Sequence, residues 1–415
     1  MMQTSKSSNG TQYIPSLPRV SIQVFCETSD LSAAIQGATS DRRMDKVHLK
    51  VQMGGGAAAV EAYRHSPTPN VIVLETVSSR NEILEYLDSL SEVCDAGTKV
   101  LVIGHVNDVL LYRELMRRGV SEYLISPVTS VDIINSLSGL FAASNTAPVG
   151  RSIAVLGTRG GVGSSTIAHN VAYTIAKYLN IETVIADLDL AFGTAGLDFN
   201  QDPAQGIADA VFAPDRIDAN LVDRLLSRVT DFLSILAAPA TLDRVYDFNE
   251  AGFDSLLEIL KSTIPMIVLD VPHVWTAWAR RMVINADDIF IVASPDLASL
   301  RNAKNMLDTL SAIRKNDNQP KLIMNMVGMP KRPEISISEF AKNLDMQITS
   351  TIQFDPTLFG AASNNGQMIA EVQPRSKPAE TFMELAGAIT GRTEIRAQKK
   401  SLLEPLLSKL SKKKA

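Results

Sequence analysis

Residues 153–166 read Ile-Ala-Val-Leu-Gly-Thr-Arg-Gly-Gly-Val-Gly-Ser-Ser-Thr, an apolar strand that runs at once into a glycine-rich turn. Ile167, Val171 and Ile175 then recur every four residues, so a helix opens directly behind the turn. Strand, glycine-rich turn and helix in this order form a unit whose backbone N–H groups can face an anion. Glycines at 160, 161 and 163 keep Cβ atoms out of the way, and the helix dipole adds attraction for negative charge. The glycines alone are a weak signal, because a tight strand-to-helix turn that binds nothing uses the same residues.

The surrounding chain adds to that signal. Apolar runs at 183–186, 232–236, 266–269, 289–292 and 321–324 lack polar alternation, as expected of parallel strands covered on both faces. Polar residues stand at their ends: Asp187 and Asp189, Asp270, Ser294 and Asp296, and Asn325. In an open α/β sheet such strand ends line one crevice, where ligands bind. A single aspartate at a strand end is usually a cap or turn former; several at successive strands are harder to explain that way.

A separate β/α series precedes this one. Strands are expected at 21–25, 71–74, 100–103 and 122–125, in a five-strand pattern of flavodoxin-like appearance. The divisions expected are a disordered polar leader at 1–17, a first domain at 18–141, a linker at 142–150, a second domain at 151–391 and a basic tail at 392–415. Two cysteines without paired spacing argue against a disulfide framework and fit a reducing cytoplasm. A net charge of -5 offers no general attraction to nucleic acid, so no nucleic-acid partner is expected.

The loop from Thr158 to Thr166 resembles the deviant phosphate-binding motif of the MinD/ParA ATPases, a lysine-initiated Gly-Gly-x-Gly followed by lysine and two threonines. The resemblance covers about residues 151–391 and implies binding of ATP and magnesium. It places Arg159, Gly160, Gly161, Val162, Gly163, Ser164, Ser165 and Thr166 on the nucleotide. Ser165 and Asp270 would hold magnesium, Asp189 would position the attacking water, and Asn325 would read the adenine. The segment containing Asp355, with Ala362–Gly366 after it, resembles the family's nucleotide-side loop. Two departures matter. Arg159 stands where the family has a lysine that reaches across a dimer, and Ser164 stands where it has the lysine on the β- and γ-phosphates. Losing that charge-assisted contact removes about 1.5–3 kcal/mol of binding and more of any transition-state stabilisation. Weak ATP binding with slow hydrolysis is therefore expected, with an actively cycling MinD-like ATPase as the alternative.

The first domain resembles the receiver domain of response regulators, with Cys26-Glu27, Glu75 and Ser126-Pro127 where that family has its acidic pair, phosphoacceptor aspartate and Lys-Pro. It reads as a pseudo-receiver used for docking. A receiver-like domain followed by a P-loop NTPase domain, with a mostly parallel sheet covered by helices on both faces, is similar to the CpaE/TadZ family of Flp/Tad pilus assembly and localisation proteins. Segments 361–368 and 371–377 carry the same likeness. The resemblance implies a homodimer that contacts the pilus secretion ATPase and other assembly proteins, peripheral to the inner membrane and placed at a cell pole. In the tail, Leu403, Leu406, Leu407 and Leu410 fall at helical spacing among lysines, a pattern that suits anionic lipid and equally a solvated basic tail.

Overall fold

The computed structural model describes residues 13–78, 80–142, 150–203, 205–212, 216–239, 242 and 250–391. The expected tail, residues 143–149 of the linker and residues 1–12 of the leader lie outside them.

Two α/β domains follow one another. The first has strands β1 (Val20–Cys26), β2 (Val47–Met53), β3 (Val71–Thr76), β4 (Lys99–Gly104) and β5 (Glu122–Ile125), all parallel in the order β2-β1-β3-β4-β5. β3 is buried at all six positions, which is why 71–74 reads as a continuous apolar run. β2 forms the edge and is exposed or half-buried throughout, and its polar alternation concealed it from the apolar-run reading. Residues 13–17, expected within the disordered leader, are instead packed. Ile14 and Leu17 are buried against the first core, and Ser138 donates to the carbonyl of Pro15 at 2.9 Å.

The second domain has β6 (Arg151–Gly157), β7 (Thr183–Asp187), β8 (Ser227–Arg228), β9 (Leu233–Leu236), β10 (Met266–Val271), β11 (Asp288–Ala293), β12 (Lys321–Val327) and β13 (Ile348–Gln353). Their order is β13-β12-β11-β6-β10-β7-β9-β8, parallel except for the β8–β9 pair. Two separate apolar clusters lie on the two faces of this sheet, so helices cover both, as expected. The helix Ser164–Leu179 packs on one face, and ten of its residues from Ile167 to Ala176 are buried. β6 is central, with β10 on one side and β11 on the other, and the crevice at its carboxyl end is the topological switch point.

The domains meet at the opposite edge, where the second sheet's strands begin. Arg42 of the first domain contacts Asp317 at 2.7 Å and Asp287 at 3.3 Å. Asp287 also accepts from Lys261 and from the backbone and hydroxyl of Ser152. Asn316 donates to Asp41, and Arg43 lies 3.6 Å from Asp317. Tyr13 presents its ring to the guanidinium of Arg151, 5.2 Å away. Burial alone would raise the Asp287 carboxyl, but Lys261 and Arg42 hold it down at about 2. The first domain therefore sits behind the sheet and leaves the crevice open.

Candidate functional site

The phosphate-type loop leaves β6 at Gly157, where Thr158 donates its N–H to the carbonyl of Val292 in β11. Gly161 and Gly163 take left-handed backbone angles, with φ of 77° and 85°, which side chains disfavour. Gly163 caps the helix Ser164–Leu179 without a side-chain hydrogen bond. The first turn of that helix is not capped from this position by protein, which is the arrangement that receives anions. A Cβ placed on Gly160 or Gly161 would meet no atom within 4 Å. Open space, glycine backbone and a helix N-terminus together fit a phosphate. Val162 anchors the loop in the core, while Ser164, Ser165 and Thr166 are half-buried along its mouth.

Asn325, near the carboxyl end of β12, donates from Nδ2 to the carbonyl of Val162 at 2.9 Å. A side chain at 163 would strike it, since the nearest approach would be 2.5 Å. Asn325 thus braces the loop, and its amide lies at the loop's side of the crevice. Asp355 caps the helix Pro356–Asn364 by accepting from Leu358 N–H at 2.9 Å.

Arg159 folds back on its own chain. It donates to the hydroxyl of Ser294 and to the carboxylate of Asp296, both at 3.0 Å. Asp296 in turn caps the helix Leu297–Ile313 through Ser299 N–H and accepts from Ser294 Oγ. Burial opposes ionisation of Asp296, but the hydrogen bonds from Ser294 and Ser299 and the charge of Arg159 keep its pKa at about 2.

The acidic side of the crevice is buried. Asp187 and Asp270 stand opposite each other in the register of β7 and β10. Asp187 accepts from Ala195 N–H and Asp189 N–H. Burial, and then the charge of Asp270, push its pKa up to about 7. Asp189 is half-buried, accepts from Phe192 N–H, and is raised chiefly by burial. His169, fully buried on the helix behind the loop, has Nδ1 2.8 Å from Asp198 and Nε2 3.4 Å from Asp270. Burial disfavours its charged form, yet the two carboxylates raise its pKa to about 10. The donors Ser165 and Asp270 expected for magnesium are both present, but Asp270 already faces an imidazole.

Sequence reasoning missed His169 and Asp198 and gave Asp187, Ser294 and Asp296 no chemical role. The available signal was His169 itself, a titratable residue two positions past Ile167 in the most buried helix of the domain.

In the first domain, Glu75 is the penultimate residue of β3, with its side chain buried. It accepts from the backbone of Glu27 and Thr28 at 2.7 and 2.8 Å and from the Thr28 hydroxyl at 2.5 Å. Glu27 accepts from Val77 N–H. These contacts occupy the position where a receiver would present its acceptor. His105 is 41% exposed along its side chain and lies 3.8 Å from Glu75.

The chain is similar to several known proteins. A family model described as an AAA domain matches residues 150–324. The septum site-determining protein MinD of Synechocystis sp. is 26% identical over 253 residues, which cover 58% of this chain and 90% of that protein. The solved structure of MinD complexed with Mg-ADP from Pyrococcus horikoshii aligns with 60% of this chain and 99% of its own, at 20% identity and a TM-score of 0.52. A crystal structure of a pilus assembly protein CpaE from Caulobacter crescentus is 45% identical over 31% of this chain and 98% of its own, with a TM-score of 0.30. The chain has homologues among the MinD/ParA-type P-loop ATPases and shares their α/β fold.

Proposed function

We propose that this chain is a localisation and scaffold protein for assembly of a bacterial Flp/Tad pilus secretion machine, in which nucleotide serves assembly more than turnover. The observation that carries this reading is the state of the loop. Its backbone cradle is intact, yet Ser164 brings no charge and Arg159 is engaged by Asp296 of the same chain. ATP phosphates would lie on the N–H groups of residues 160–166, with Asn325 and Asp355 on the nucleotide side. Magnesium would draw on Ser165 and Asp270 and would supply charge neutralisation to the phosphates. Asp189 would position water. Without the second lysine, stabilisation of the charge that develops during transfer is weak.

Homodimerisation through the crevice face and contact with the secretion ATPase and other assembly proteins belong to the same proposal. So does peripheral attachment to the inner membrane at a cell pole. The pilus assignment rests on the two-domain combination and on segments 361–368 and 371–377. Among the described residues no helix is long and apolar enough to cross a membrane.

Retention of Asp187, Asp189 and Asp270 favours a second reading, a cycling ATPase of the MinD kind. Turnover separates the two. The scaffold reading expects hydrolysis barely above background, with machinery placement surviving Asp189→Ala. Turnover of roughly one per second or faster would establish the cycling ATPase instead.

A further inference from the structure

We propose that a cavity at the junction of the two domains binds a small phosphate-bearing anion, through Arg280 and Lys315 of the second domain and Ser40 of the first. The cavity measures about 390 Å³, room for a phosphate group with a small organic substituent. The first domain lines it between Gly37 and Asp45, and the second lines it at 280–285 and 312–317. It lies where the strands of the second sheet begin, at the end away from the phosphate loop, and does not depend on the nucleotide reading.

The charge left over in this wall selects the ligand. Arg42, Arg280, Arg281, Arg314 and Lys315 line it against Asp41, Asp45 and Asp317. Each of the three carboxylates already has a cation. Asp41 faces Arg43 at 2.7 Å, and Asp45 lies 3.7 Å from Arg281. Oδ2 of Asp317 is shared by Nε of Arg42 at 2.7 Å and Nε of Arg314 at 3.0 Å. The exposed side chains of Arg280 and Lys315 have no partner among the described residues, and the side-chain amide of Asn285 makes no hydrogen bond there either. The uncompensated groups are therefore cations and a neutral donor, which together suit a phosphate: a planar fork, a point charge and an amide N–H. Crowding of the two guanidinium groups on Asp317 supports the same reading, since burial and the nearby charge of Arg42 push Arg314 down to about 10. A bound anion would relieve that crowding. Because it would touch both walls, it would also reinforce the contact that holds the first domain behind the sheet.

The probes are inorganic phosphate and glycerol phosphate, titrated calorimetrically into the full-length protein at constant ionic strength. Hydrogen exchange with and without each probe locates the bound anion, because the phosphate loop is a second place where it could sit. Protection is expected at 37–46 and 280–286. Replacing both cations, Arg280→Gln with Lys315→Gln, should weaken binding at the junction about tenfold or more. Both side chains are exposed and unpartnered, so the double variant should melt at the wild-type temperature when no anion is present. Whichever probe wild type binds more tightly identifies the source, free phosphate or a phosphate ester. Unchanged affinity in the folded double variant overturns the proposal, as does the absence of saturable binding of either probe by wild type. If the double variant does not fold, hydrogen exchange of wild type decides: protection confined to 158–166 refutes the junction site and leaves the loop as the only anion site.

Discussion

Nη1 of Arg42 lies 3.3 Å from Oδ1 of Asp287, a contact between side chains that are 9% and 1% exposed and that belong to different domains. Breaking a buried pair by removing one partner leaves a charge without full compensation. Arg42→Ala should therefore destabilise the protein by about 2–4 kcal/mol, somewhat under the usual range because Lys261 remains on Asp287. Denaturant unfolding followed by tryptophan fluorescence checks this, since Trp278 is buried in the second domain. An unchanged midpoint would show that the clamp contributes nothing.

The same carboxylate sets a pH dependence. Asp287 has a folded pKa of about 2, below its unfolded value of about 3.9. The unfolded chain binds the proton more readily, so this contribution is present in full above pH 4 and is lost as pH falls through 2. It amounts to roughly 2–3 kcal/mol. Stability measured from pH 5 down to pH 2 should fall, and Asp287→Asn should flatten the slope over that window.

Ser164→Lys should tighten ATP binding by about 1.5–3 kcal/mol, roughly ten- to a hundredfold, because a charged donor returns to an intact cradle. Calorimetric titration of ATP against both proteins reads the difference. If magnesium uses Asp270, Asp270→Asn should remove the metal-dependent part of the gain. No tightening in a folded variant would mean that the loop does not present its backbone to phosphate.

Glu75 has its carboxylate held by two backbone N–H groups and the Thr28 hydroxyl. Incubation with acetyl phosphate should leave the first domain unmodified, as measured by intact mass under neutral conditions. An acid-labile phosphate on residues 18–141 would contradict the docking role of that domain.

The basic tail can be tested directly. Full-length protein should float with anionic vesicles, less so as salt rises, while a chain ending at Gly391 should stay behind. Equal flotation of the two would remove the tail from membrane attachment.

The central strands were legible because burial on both faces favours apolar residues along most of their length, with polar groups kept to their ends. β3, β10 and β11 are each buried at every position, and their stretches 71–74, 266–269 and 289–292 read as apolar runs. β2 and β13 escaped notice because edge strands keep one side in solvent and carry His48, Lys50 and Gln52, or Thr349, Ser350 and Thr351. The glycine loop and the strand-end aspartates were visible for the same local reason. The Arg159–Asp296 contact was not, because it joins residues 137 positions apart across a switch point. Nor was the histidine on Asp270, since its place depends on how a helix rotates over the sheet.

The first domain is fixed behind the sheet by Arg42 and its neighbours, on the side away from the crevice. Two copies that close crevice to crevice about a two-fold axis would therefore carry their first domains at opposite ends. Such a pair would be a double-ended coupler. Under the docking role proposed for the first domain, each end would grip one subunit of a repeating assembly, and the second grip would follow the first at high effective concentration. Pairing would then change how strongly the molecule holds a partner array without altering either gripping surface.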